Sequence, residues 1–237
     1  MDHAGYTTLS RQTGLAKEMQ IVANNIANAA TTGYRAEGLL FSEYVQSVDA
    51  GASLSMGQGN VRSTSFEQGA LTQTNGTFDL AIEGDGYFLV DTPRGERLTR
   101  SGAFSPSAEG DLVTYDGFPV LDVGGAPVFV PPGVDIAIAS DGTISAEGNP
   151  IGQIGVVRPL DPGMMSREDG VMFAAEGGVE PAETARVLQG FVENSNVNSV
   201  GQLARMIEVQ RAYELGQSFL ESEDERVRAA LTALTKP

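Results

Sequence analysis

The chain has 237 residues, of which 41% are hydrophobic, with 29 glycines and 11 prolines: enough for one large or two modest domains with many turns. Its 15 basic and 31 acidic residues give a net charge of −16, a surface that nucleic-acid phosphates and anionic membranes repel. With no cysteine and a single histidine, His3, the sequence excludes disulfides, thiolate catalysis, cysteine-ligated zinc, histidine triads and multi-histidine metal sites.

No apolar run approaches the ~18 residues of a membrane span, so no membrane insertion is expected. The opening Met-Asp-His-Ala-Gly-Tyr lacks the basic and apolar regions of a cleavable signal. The chain is therefore expected either in the cytoplasm or exported by a route that leaves no cleaved signal. No motif calls for a cofactor.

Residues 4–29 read as a helix. Leu15, Met19, Val22 and Ile26 step by 4, 3 and 4, an a/d stripe, and Arg11, Lys17, Glu18 and Asn24 are assigned to the opposite face. Thr31-Thr32-Gly33 ends it, with Gly33 suited to a left-handed cap. Asn24, Asn25 and Asn28 are poor helix formers, and their amides can bridge helix ends or neighbouring subunits as readily as they can sit solvated.

Residues 36–75 read as an extended arm or linker. Leu39, Leu40, Phe41 and Tyr44 form a short apolar segment, Asp49 to Asn60 is rich in Gly and Ser, and Val61 to Phe66 alternates like a strand. From 76 to 189 the text is β. Asp85-Gly86, Glu109-Gly110, Asp116-Gly117, Gly124-Gly125 and Asp141-Gly142 punctuate short apolar runs, which fits an all-β sandwich or barrel-like domain.

Asn196 to Leu234 reads as one long helix. Met206, Val209, Tyr213, Gly216, Leu220, Val227 and Leu234 form a heptad seam, interrupted near Glu223. About 35 residues at ~1.5 Å each make ~50 Å of helix, which needs a partner along its length. Ser195-Asn196-Val197-Asn198 offers N-cap chemistry, with Asn196 or Asn198 as the cap. Gln210, Arg211 and Tyr213 combine polar forks with an aromatic, a mix favoured at interfaces. The expected fold is α+β: a discontinuous terminal helical domain of coiled-coil type, 1–35 plus 190–237, with an inserted all-β domain.

Three stretches are specific enough to resemble a known family. Ala23 to Arg35 (Ala-Asn-Asn-Ile-Ala-Asn-Ala-Ala-Thr-Thr-Gly-Tyr-Arg) resembles the N-terminal signature of flagellar basal-body rod and hook proteins. Phe66 to Leu71, Asp79 to Phe88, and Arg100 to Phe104 with Gly110 to Thr114 resemble that family's β-region. Gly190 to Asn198 and Met206 to Glu214 resemble its C-terminal signature. Ala29-Ala30 and Phe191-Val192 depart from the usual pairs at those positions. Length and the Met1-Asp2 opening with Tyr6 are more similar to the proximal-rod members than to the somewhat longer distal-rod ones.

The resemblance implies a non-enzymatic axial subunit in the rod within the periplasm, exported by the flagellar type III apparatus without signal cleavage. It also implies helical polymerisation with other rod subunits, distal rod included, to transmit motor torque. Assembly contacts are then expected at Leu15, Met19, Val22, Asn24, Asn25, Ile26, Asn28, Thr32 and Gly33, and at Ser195, Asn196, Val197, Asn198, Met206, Val209, Gln210, Arg211, Tyr213 and Leu220. Two other classes stay open. Glu83 with Asp85 is a candidate acid pair for a carbohydrate hydrolase, although chance adjacency among 31 acids explains it better. The recurrent Asp-Gly pairs suggest calcium but lack a full ligand series and fit hairpin turns better.

Overall fold

The computed structural model describes residues 3–48, 52–168 and 170–234; Met1-Asp2 and the Asp49–Gly51 part of the Gly/Ser stretch lie outside them. The fold is α+β, with a β-rich region between the terminal helices. The chain divides into two units, one drawn from residues 1–29, 36–65 and 197–237, the other from 30–35 and 66–196.

In the first unit, α1 (His3–Ala27) and α2 (Ser199–Leu234) pack against each other. Their pairing is antiparallel: Gln12 meets Tyr213, Glu18 meets Arg205 and Asn25 meets Gln202. The N-cap of α2 is Asn198, whose Oδ1 accepts from Gly201 N at 3.1 Å. No described helix is long and apolar enough to cross a membrane.

Where an arm is expected, the chain forms a ribbon. β1 (Glu37–Val48) and β2 (Ala52–Thr64) pair antiparallel, from Glu37 opposite Thr64 to Val48 opposite Ala52, with a bulge at Leu40/Phe41. The glycines and serines of β2 have weak strand preference, but the ladder gives their backbone groups partners and overrides it. An isolated two-stranded hairpin is marginal in water, and this one rests on α1. The bridge is Asn25, fully buried, whose Nδ2 donates to Glu37 O at 2.7 Å while its Oδ1 accepts from Glu37 N at 2.9 Å.

The second unit is built around a six-stranded antiparallel sheet. Its order is 165–168, 172–175, 95–99, 87–92, 156–159 and 179–181. Strand 87–92 is buried on both faces: Phe88 and Val90 join a core with Leu80, Leu112, Val120 and Ile144, while Tyr87 and Leu89 join Leu98, Leu121 and Phe173. Smaller sheets pair 80–83 with 186–189 and 71–73 with 191–193.

The segments by which the chain enters and leaves this unit meet at one buried carboxylate. Glu193 is 1% exposed. Its Oε1 pairs with Arg35 at 2.8 Å and accepts from Gly69 N at 3.0 Å, and its Oε2 pairs with Arg100 at 3.2 Å. Arg35 also donates to Glu67 O, and Arg100 to Gly84 O at 2.7 Å. Burial pulls the Arg35 guanidinium below the usual arginine range, with Glu193 opposing that shift. Gly33 sits beside this clasp at φ 69°, its N–H donating to Glu193 O at 2.8 Å. A Cβ there would run into the Ser101 backbone, so the left-handed turn expected of Gly33 is also a close approach.

Candidate assembly surface

The helical unit buries a narrow seam. Leu15 is 7%, Val22 4% and Val209 1% exposed, and Met19, Ile26, Met206, Tyr213 and Leu220 are half-buried between the helices and the ribbon. Polar groups are set into it. Gln12 Nε2 donates to Tyr213 O at 2.7 Å, and Arg205 binds Glu18 Oε1 at 2.6 Å. That hydrogen bond, donated to the Glu18 carboxylate, holds the Arg205 guanidinium above the usual arginine range.

Glu18 corrects the sequence reading, which assigns it to the outer face; it is 7% exposed. It stands three residues after Leu15 and four before Val22, positions that share a face, so the spacing points inward despite the charge.

The three asparagines diverge. Asn25 is turned inward onto Glu37, Asn24 is exposed, and the Asn28 side chain donates back to Asn24 O at 2.9 Å. In the β unit, Thr32 Oγ1 lies 3.1 Å from Ser101 Oγ, and Asn196 Nδ2 donates to Glu67 O at 2.8 Å. Asn196 is thus not the cap of α2. Ser195 and Val197 are half-buried and Asn198 is exposed. Gln210 and Arg211 are exposed, and the Gln210 amide turns to Glu214 Oε1 at 3.0 Å.

The sequence reading missed a second apolar stripe. Val200, Leu203 and Ile207, spaced by 3 and 4, are 78%, 53% and 51% exposed on the face of α2 opposite Val209. Leu215 and Phe219 flank the seam, also exposed. Beyond Glu223 the seam itself loses its cover, and Val227, Leu231 and Leu234 are 46%, 58% and 83% exposed. Val209 alone in α2 is buried among the described residues. A helix so sparsely covered presents apolar surface suited to other chains.

The two other candidate sites lie at turns. Glu83 and Asp85 are both exposed beside a turn, with Gly84 rather than Gly86 in the left-handed conformation at φ 93°. Of the Asp-Gly pairs, Asp141 accepts at Oδ1 from Thr143 N at 2.9 Å, as a turn-forming aspartate does.

Comparison with known proteins adds to this geometry. Residues 6–35 match the family described as flagella basal body rod protein. Residues 81–146 match the flagellar hook protein FlgE/F/G D1 domain, and 188–233 the flagellar basal body rod FlgEFG protein C-terminal family. The flagellar basal-body rod protein FlgF of Caulobacter vibrioides is 37% identical over 243 residues, covering 100% of this chain and 99% of the relative. FlgF of Escherichia coli is 31% identical, covering 97% of both chains. The flagellar basal-body rod protein FlgG of Bacillus subtilis is 29% identical over 93% of this chain and 94% of its own. The chain belongs to the flagellar basal-body rod protein family, in which it is of the FlgF type.

Proposed function

We propose that this protein is a structural, non-enzymatic subunit of the flagellar basal-body rod, joined to its neighbours through the helical unit and carrying motor torque. The observation behind this reading is the uncovered apolar surface of α2, which its own unit leaves exposed from Val200 to Leu234. Head-to-tail contacts between long helices that do not close on themselves generate an open filament, the form a rod requires.

In this reading the seam residues Leu15, Met19, Val22, Ile26, Met206, Val209, Tyr213 and Leu220 shape the helical pair. Asn24, Asn28, Gln210, Arg211 and Asn198 lie at or near its surface, toward neighbours. Asn25, Thr32, Gly33, Ser195, Asn196 and Val197 hold the segments that lead into and out of the helices. The partners are other rod subunits, distal rod included. The chain reaches the periplasmic rod through the flagellar export apparatus without signal cleavage, a reading supported by the rod names of the relatives.

Deleting the gene and imaging purified basal bodies tests the proposal. Assembly should stop at an incomplete rod without a hook, and complete hook–basal bodies from the deletion strain would refute it.

A further inference from the structure

Between α1 and α2 lies a groove of ≈ 370 Å³ that the described residues leave open, lined by Arg11, Gln12, Leu15, Leu215, Gly216 and Phe219 among others. Gly216 makes the hollow: a Cβ there would press on the Gln12 amide. Gln12 is 7% exposed, and while its Nε2 is bonded to Tyr213 O, its Oε1 is buried without a hydrogen-bond partner. An orphaned acceptor in an apolar groove calls for a donor brought from outside.

The same helix carries a matching shape. The antiparallel register that sets Gln12 beside Tyr213 leaves Glu223 to Leu234 beyond the described part of α1, ~18 Å of helix. There Val227, Leu231 and Leu234 continue the seam with spacings of 4 and 3, and their side chains are 46%, 58% and 83% exposed. Beside them, Arg226 pairs with Glu223 at 2.6 Å and Arg228 with Asp224 at 2.8 Å, leaving Glu221 and Glu225 without an ion-pair partner among the described residues. Arg11, on the groove wall, is likewise without one.

We propose that the groove seats the C-terminal turns of α2 from a second copy of the chain. Val227, Leu231 and Leu234 of the incoming helix lie against Leu215 and Phe219 over the Gly216 hollow. Arg228, released from its exposed pair with Asp224, donates to Gln12 Oε1, and Glu221 and Glu225 face Arg11. Because groove and overhang are different surfaces, the contact is heterologous and extends from copy to copy. The proposal rests on the reading of the chain as a rod subunit and adds to it which surfaces meet.

The sequence contains no cysteine, so single introduced cysteines report cleanly. Full-length Leu231→Cys is mixed under oxidising conditions with full-length Leu215→Cys, or with Tyr115→Cys, a 98% exposed control in the β unit. The mixed disulfide between positions 231 and 215 should form at least about ten times faster than that with 115, since the bond needs Cα atoms within ~7 Å. Leu231→Asp should abolish copy-to-copy association in sedimentation velocity, and raised salt should weaken it. If the chain associates but the 231–215 pair forms no faster than the control, or Leu231→Asp associates normally, the docking proposal falls while the rod reading stands. If the chain neither associates nor cross-links at any concentration, both fall.

Discussion

The two units of this protein treat apolar residues in opposite ways. In the β unit Leu80, Phe88, Val90, Leu112, Val120 and Ile144 have no exposed surface, and strand 87–92 feeds two cores from its two faces. In the helical unit, 36 residues of α2 contribute one buried side chain among those described, while Leu203, Leu215, Leu231 and Leu234 remain in the open. Hydrophobic burial is the main term favouring folding, so the β unit holds the means of its own stability. The helical unit holds much of its apolar surface in reserve for contact with other chains.

If this contrast is right, core changes should be severe in one unit and mild in the other. The largest effect belongs to the clasp. Glu193→Gln leaves Arg35 and Arg100 buried without their carboxylate, and denaturant unfolding should show the β unit weakened by ~3–5 kcal/mol. Phe88→Ala empties the centre of the same unit and should cost a similar ~3–5 kcal/mol. In the helical unit, Val209→Ala removes the one fully covered contact of α2, for ~1–2 kcal/mol by the same measurement. Equal losses from Phe88→Ala and Val209→Ala would erase the distinction between the units.

An outward change sharpens it. Leu203→Asp should shift the stability of the isolated chain by no more than about 0.5 kcal/mol, because the side chain is half in water already. The same variant should fail to restore motility in a deletion strain. The smallest effect is acid-dependent. Asp141 accepts from Thr143 N, and that bond holds its carboxyl below the usual aspartate range. A folded-state pKa below the unfolded one gives stability that is present above the unfolded pKa and lost as pH falls through the folded one. Asp141→Asn should therefore flatten the acid limb of the stability curve by lowering stability slightly at neutral pH, with no change once pH falls below the folded-state pKa.

Much of this contrast is legible in the residues themselves. The 4, 3, 4 spacing of Leu15, Met19, Val22 and Ile26 and the seam through Met206, Val209 and Tyr213 mark the faces by which the helices meet. The turn glycines at 110, 117, 125 and 142 separate the β-runs, each with a left-handed φ. What escapes is of three kinds. Glu18 is inward because its partner Arg205 lies on the other helix, a pairing no local pattern shows. The ribbon of β1 and β2 forms because each strand satisfies the other's backbone, which overrides the Gly and Ser content of β2. The Glu193 clasp joins residues from both ends of the β unit and from the turn after α1, so only the fold brings them together.

The central claim is that α2 is left uncovered in the single chain and covered in the assembled rod. Amide hydrogen exchange, compared between isolated chain and purified rods, tests it most directly. The account predicts fast exchange from Glu225 to Leu234 in the isolated chain, slow exchange there in rods, and a β unit equally protected in both. Strong protection of those last turns in the isolated chain, unchanged on assembly, would contradict it.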